Sequence, residues 1–356
     1  MLTIGFRPVF TAFTHNQNSP YFRVALITTV KIHGATPIPL GTMMLAVGFL
    51  LFFAVGGYSA ELRKLSLAYS TVGPSGTGLW MAKEIGAFEK YGLNADLIFI
   101  SSGPVVVQAL IGGDLHGGLA ATNAVISAVM AGAPLVSVMS LVNRPYFRLW
   151  VQPEITRIED LRGKTLGVSR FGSVTDNLTR ILLRKQGLEG AVNVRQMGGT
   201  AEMSVAFQRR QIAGAVLAVL RVDAPVRMLV DLDELGIQYS NVVIAVPQDF
   251  RRRSSPAVEG MVRAYLEGVA AVNQQKEMAF KVIAKYTRIK EPKLIEELYN
   301  DAVKFLDRAP RVEQEAIAPI VEFMGKKPIS VEAIADNRII DKLIAEGFID
   351  RLYRRR

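Results

Sequence analysis

The spacing of apolar and polar positions changes period repeatedly along this chain. "LRKLSLAYS" (62–70) alternates with period two and predicts a strand. After "TVGPSGTG", Met81, Ile85 and Phe88 recur at helical spacing and predict a helix ending in "EKYGL", where Lys90 occupies the last turn and Gly92 suits a left-handed cap. "NADLIFISSG" (94–103) reads as a second strand, "VVVQALIGGDL" as a helix, "HGGLAATN" as a third strand and "PLVSVMSLV" as a fourth. Short strands alternating with helical stretches predict an α/β architecture with a mostly parallel sheet.

The same order then returns. "KTLGVSRFGS" is strand and turn, and the next helix presents Val174, Leu178, Ile181 and Leu182 on one face before ending "RKQGL", an echo of "EKYGL". "VNVRQMGGT" (192–200) corresponds to 94–103, and "MSVAFQRRQIAGAVLAV" to "VVVQALIGGDLHGGLAAT". The likeness is of pattern more than of identity, which predicts two lobes on one plan rather than a solenoid. Between them Phe147–Val151 reads as extended, and Thr156-x-x-Glu159 has the form of a capping box. "NVVIAVP" (241–247) is a second extended run, so 147–152 and 241–247 are expected to form the hinge. Beyond Pro256 the pattern is helical over 257–287, 292–306, 312–325 and 331–353, and these helices are expected to pack back on the first lobe. The expected divisions are a leader at 1–60, lobe 1 at 61–148, lobe 2 at 149–244, and a second, helical part of lobe 1 at 245–356.

The first sixty residues contain no Asp or Glu, and 34–60 carry no charge of either sign. Arg23 and Lys31 precede the apolar run Met43–Val55, and the small residues "GGYSA" follow it, the pattern of a secretory signal with cleavage after Ser59 or Ala60. The run is short against the roughly 20 residues of a membrane span. Counted from Leu40 to Tyr58 it nearly reaches that length, so an uncleaved anchor stays open. Either way the body is expected to be periplasmic or otherwise extracytoplasmic.

Composition narrows the chemistry. There is no cysteine, and the histidines are His15, His33 and His116, which argues against thiolate nucleophiles, disulfides, metal clusters and imidazole acid–base work. The net charge is +10, but dense basic runs occur only at 251–253 and 354–356, without interleaved aromatics. An attraction for an anionic ligand fits that charge; nucleic-acid binding is not expected. No Gly-x-Gly-x-x-Gly with a later acidic partner, Walker-type Gly-Lys-Ser/Thr or Gly-x-Ser-x-Gly elbow occurs. Neither a cofactor nor catalysis is expected.

What the pattern does offer is a row of small polar turns at strand ends, where open α/β sheets bind ligands beside the free N–H groups of helix N-termini. The candidate ligand contacts are Ser70, Ser75, Thr77, Gly78, Ser101, Ser102, Thr122, Asn123, Ser169, Phe171, Ser173, Thr175, Gly199 and Thr200. Trp80, Phe147 and Phe171 could add an apolar face suited to a heterocycle, though each also reads as core. Arg170 and Arg221 read equally as anion partners or as solvated side chains, and His116 reads as structural.

Three stretches resemble a known family: "LSLAYS…GLWMAKEIGAFEKYGLNADLIFISSGPVVVQALIGGDL", "IEDLRGKTLGVSRFGSVTDN" and "EGFID". They are similar to the periplasmic substrate-binding proteins of ABC transporters, in the branch that serves nitrate, sulfonate, taurine and thiamine-pyrimidine precursors. The resemblance runs from Leu62 to Asp350. It implies a two-lobe clamshell of the second periplasmic-binding type, a small anionic or heterocyclic ligand, delivery to an inner-membrane permease, and a monomer. It leaves the ligand open. An exported sensory domain is a second reading. A pyrimidine-synthase-like enzyme is a third, disfavoured because such enzymes use a histidine and a cysteine-rich motif that this chain does not supply.

Overall fold

The computed structural model describes residues 62–354 apart from Thr71, so the expected leader lies outside the described residues. In chain order the elements are β1 (Arg63–Tyr69), α1 (Pro74–Glu84), α2 (Ala87–Lys90), β2 (Leu93–Phe99), α3 (Gly103–Gly112), β3 (Gly117–Ala121), α4 (Thr122–Met130) and β4 (Leu135–Val142). There follow β5 (Arg148–Val151), a 3₁₀ turn at Ile158–Leu161, β6 (Thr165–Val168), α5 (Val174–Lys185), β7 (Asn193–Gln196), α6 (Thr200–Gln208), β8 (Gly214–Leu217), β9 (Arg227–Asp231), a 3₁₀ turn at Leu232–Leu235 and β10 (Val242–Pro247). The rest is helical: α7 (Gln248–Arg253), α8 (Ser255–Gln274), α9 (Lys276–Thr287), α10 (Pro292–Phe305), α11 (Gln314–Phe323), α12 (Val331–Ile334), α13 (Arg338–Ala345) and α14 (Phe348–Tyr353).

The strands form two five-stranded sheets, β2-β1-β3-β10-β4 and β7-β6-β8-β5-β9. In the first, β1 pairs in parallel with β2 and β3, while β10 runs antiparallel to β3 and β4. In the second, β6 pairs in parallel with β7 and β8, while β5 runs antiparallel to β8 and β9. Position for position the sheets match, and each receives its antiparallel strand from chain that has just crossed from the other lobe. The repeated plan in the sequence is therefore a repeated topology.

Four expectations shift in detail. The runs 147–152 and 241–247 are mostly paired strands, β5 and β10, rather than free hinges; the crossings are the short segments 143–147 and 236–241. At the capping turn it is the Asp160 carboxylate, not Glu159, that accepts from the Thr156 and Arg157 N–H groups, both at 3.0 Å. The helix expected over 257–287 breaks at Gln275 (φ −129°, ψ 64°), and the one expected over 331–353 is three short helices. β9, an edge strand with half-exposed faces, is not marked by any alternation in the sequence.

The C-terminal helices do return to lobe 1, where α8 packs on α1, α2 and β2, and α9 and α10 pack on α1. α1 is buried from Pro74 to Ala82 as a result. Its crossing with α8 is glycine to glycine: a Cβ on Gly78 would sit 2.9 Å from the Tyr265 ring, and one on Gly268 would run into the Gly78 carbonyl.

Candidate functional site

Between the two sheets lies a cavity of about 670 Å³, walled by both lobes. The carboxyl ends of the strands supply Tyr69, Ser70, Phe99, Ser101, Ala121, Ser169, Leu217 and Ala218 to it. The first residues or caps of α3, α5 and α6 supply Ser102, Gly103, Ser173, Val174, Thr175, Thr200 and Ala201. Three helix N-termini thus converge on one space, each offering unpaired N–H donors and the positive end of a helix dipole.

The turn at 169–175 is a knot of hydroxyls. Ser169 Oγ lies 3.0 Å from Ser173 Oγ and 3.1 Å from Thr175 Oγ1, which are themselves 2.9 Å apart. Ser173 caps α5 by accepting from the Asp176 N–H at 3.3 Å. All three hydroxyl residues are buried. On the facing lobe Ser102 is also buried, yet its Oγ has no hydrogen-bond partner among the described residues. An unpaired buried hydroxyl at a helix N-terminus is a group held ready for something that accepts or donates.

The cavity's charge is of one sign. Arg221 and Arg288 line it, and no Asp or Glu does among the described residues. Neither arginine forms an ion pair with a described carboxylate. Arg221 Nη1 donates to the carbonyl of Thr287 at 3.0 Å, reaching from lobe 2 to the C-terminal end of α9 on lobe 1. Desolvation pulls the Arg221 pKa down, against the opposite influence of Glu291; a guanidinium stays charged all the same. The apolar part of the lining is aromatic: Tyr69, Phe99 and Tyr286 on one side, Tyr146 and Phe147 beside the crossing.

The lobes meet around this space. Asn123 Nδ2 donates to the carbonyl of Gly172 at 2.8 Å, and Gly172 has the left-handed φ of 77° that turns the carbonyl outward. A Cβ on Gly199 would lie 3.4 Å from Ser101 Cβ of the other lobe. Near the crossings, Arg148 of β5 holds Asp301 of α10 through two 2.8 Å hydrogen bonds, with Asp231 3.4 Å away. That contact raises the Arg148 pKa. Asp233 is bound by both Arg144 and Lys304.

Of the candidate contacts, Ser70, Ser101, Ser102, Ser169, Ser173, Thr175 and Thr200 come together on the cavity wall. The others are placed elsewhere. Ser75, Thr77 and Gly78 lie inside the buried α1; the Ser75 carbonyl accepts from Tyr265 OH, and Thr77 Oγ1 donates to the Gly73 carbonyl. Thr122 starts a buried hydroxyl chain through Ser240 and Ser140 to Asn143. Asn123 and Gly199 serve the contact between lobes, and Phe171 is half exposed with Arg180 over its ring. Trp80 is wholly buried behind Tyr69 and Tyr286, so it backs the aromatic wall rather than forming it. Phe147 and Arg221 do line the cavity, while Arg170 does not. His116 sits at the opposite end of β3, accepting from the Ser66 N–H at 3.1 Å. Tyr286 and Arg288 escape a reading of the sequence because they lie in the helical C-terminal part, far from any strand-end turn.

The sequence profile of the NMT1/THI5-like family matches residues 74–279, more than half of the chain. A binding protein of Brucella abortus (strain 2308) is 34% identical over 136 residues, which span 38% of this chain and 41% of that protein. The chain therefore matches less than half the length of that relative. Among solved structures, the alkanesulfonate-binding protein of Xanthomonas axonopodis pv. citri, bound to MOPS, is similar in fold with a TM-score of 0.61 at 18% identity, over 83% of this chain and 96% of that one. The periplasmic nitrate-binding protein of Synechocystis PCC 6803 gives a TM-score of 0.61 at 13% identity, over 82% and 91%. The ligand-binding component of an ABC-type import system from Staphylococcus aureus gives 0.65 at 12% identity, over 79% and 98%. With two matched sheets, a cavity walled by both and this family profile, the chain has the two-lobe periplasmic-binding-protein fold and belongs to the NMT1/THI5-like family.

Proposed function

We propose that this protein is an extracytoplasmic solute-binding protein that takes a small anion between its lobes and delivers it to an ABC permease. One observation carries the reading: three helix N-termini and two arginines face a single interlobe cavity whose described lining holds no carboxylate. Tyrosines and arginines are the ionisable side chains among the described lining residues. At neutral pH these donate hydrogen bonds rather than exchange protons, which favours binding over acid–base catalysis. The names of the structural relatives, binders of alkanesulfonate and nitrate and a part of an import system, support the same class.

The ligand contacts in this reading are Ser70, Ser101, Ser102, Ser169, Ser173, Thr175 and Thr200. Residues 1–60 export the chain, the chain from 61 to the first crossing and from β10 onward makes lobe 1, the chain between the two crossings makes lobe 2, and the protein acts as a monomer. Contacts made to both lobes at once stabilise the closed arrangement, and only that difference drives closure.

The test is a thermal-shift comparison of anions with uncharged analogues on the full chain: benzoate against benzamide, methanesulfonate against methanesulfonamide, with nitrate and bicarbonate. At a hundred times its dissociation constant a ligand adds about 2.7 kcal/mol, enough for a shift of several degrees. A shift with at least one anion and none with its neutral analogue is expected. Equal shifts for both members of every pair would overturn the anionic reading.

A further inference from the structure

The lining discriminates among anions, and a ligand class drawn from it rests on the solute-binding reading. A volume of about 670 Å³ is that of cavities holding ring-bearing organic ligands, far more than nitrate or bicarbonate would fill. Its lobe 1 wall is aromatic and stiffened from behind. Tyr69 and Phe99 lie 5.5 Å apart, while Trp80 meets Tyr69 edge-on at 5.6 Å and stacks on Tyr286 at 5.3 Å with 7° between planes. Tyr286 is fixed further by donating to Glu84 at 2.8 Å. Phe99 is 51% exposed and Val205, from lobe 2, is 50% exposed. Both line the cavity, so apolar surface there is available to a flat apolar body.

The groups that favour negative charge form two sets. One is the hydroxyl set at the N-termini of α3 and α5: Ser102, Ser169, Ser173 and Thr175. The other is Arg221 with Arg288, either side of Thr287 at the end of α9. No hydrogen bond joins the two sets among the described residues, and no described carboxylate lines the cavity beside either. A single anionic group answers one of them and leaves the other without a counter-charge inside the cavity.

We infer that the ligand class is an aromatic dianion, a ring carrying two carboxylate-type groups. The ring lies against Tyr69, Phe99 and Tyr286, one anionic group meets the hydroxyl set, and the second meets Arg221 and Arg288. An aliphatic dianion would forgo the aromatic wall, and an aromatic monoanion would forgo the arginines.

Calorimetric titration of the full chain with phthalate, isophthalate, terephthalate, benzoate, adipate and nitrate tests this. At least one benzene dicarboxylate should bind about tenfold or more tightly than both benzoate and adipate, the gain expected of a charge-assisted contact. Arg221→Gln should bring that dicarboxylate down to the affinity of benzoate, a loss about tenfold larger than any it causes for benzoate itself. Arg288→Asn, which keeps a residue tolerant of the left-handed backbone there (φ 58°), should do the same and guards against a folding defect in the first variant. Benzoate binding as tightly as every dicarboxylate would overturn the second charge, and adipate doing so would overturn the ring. Nitrate binding with no benzene carboxylate bound would overturn the class while leaving a solute binder. A folded chain that binds none of these and shows no shift with any anion would bring down the solute-binding reading as well.

Discussion

Ser102→Ala should move stability and affinity in opposite directions. Ser102 is the N-cap of α3 but makes no side-chain cap hydrogen bond, and its backbone (φ −157°, ψ 140°) is one that alanine adopts freely. The residue is 2% exposed, with its hydroxyl unpaired among the described residues. At an ordinary N-cap, serine to alanine costs about 1 kcal/mol, because a bond to the helix is lost. Here no such bond exists, and an unsatisfied buried hydroxyl itself costs roughly 1–3 kcal/mol. The ligand-free variant should therefore be as stable as the parent or more stable, by up to about 1 kcal/mol, or about 2 °C in Tm for a chain of this size. Affinity should fall, since a hydrogen bond to a charged partner contributes about 1.5–3 kcal/mol, roughly ten- to a hundredfold in Kd. Urea unfolding without ligand gives the first quantity, and calorimetry with the tightest-binding anion gives the second. A variant that is less stable yet binds unchanged would mean that the hydroxyl serves the fold, and its missing partner would then say nothing about a ligand.

Three other perturbations probe the frame. Gly268→Ala drives a methyl into the Gly78 carbonyl at the α1–α8 crossing and should cost about 1–3 kcal/mol in urea unfolding; an unmoved midpoint would count against that close approach. Asp301→Ala strips Arg148 of its bidentate partner. The cost should fall below the roughly 3–5 kcal/mol of a fully stranded buried charge, because Asp231 remains 3.4 Å away. No loss at all would show that the bridge is dispensable. Burial, together with Arg63, lowers the His116 pKa below its ordinary 6.5, and the neutral ring accepts from Ser66. Its contribution is thus present above pH 6.5 and is lost as pH falls through the lower folded-state value. His116→Gln should flatten the difference in unfolding midpoint between pH 7 and pH 5, and an unchanged difference would assign it to other groups.

The parts of this protein that read well from sequence are those governed by neighbouring residues. The strand-turn-helix at 165–182 is legible because Ser169, Ser173 and Thr175 sit where a helix must begin, and the hydroxyl knot follows from that spacing. The first lobe's turn at 70–78 looks equivalent in sequence, but Ser75, Thr77 and Gly78 are covered by α8, whose Tyr265 and Gly268 come from almost two hundred residues further on. Local pattern carries no sign of so distant a partner. The same distance hides Tyr286 and Arg288, which reach the cavity from helices that look purely structural, and the Arg148–Asp301 bridge across the lobes. Asn123 reads from sequence as one more ligand contact at a strand end. Its bond goes instead to Gly172 of the other lobe, which makes it a contact of closure in this structure.

The central claim is that one anion touches both lobes at once. A crystal structure of the protein with the tightest-binding anion of the panel tests it most directly. Ligand density is expected within hydrogen-bond distance of Ser102 Oγ on lobe 1 and of Ser169, Ser173 or Thr175 on lobe 2, with a guanidinium of Arg221 or Arg288 against its charge. A ligand held by one lobe alone, or bound outside this cavity, would contradict it.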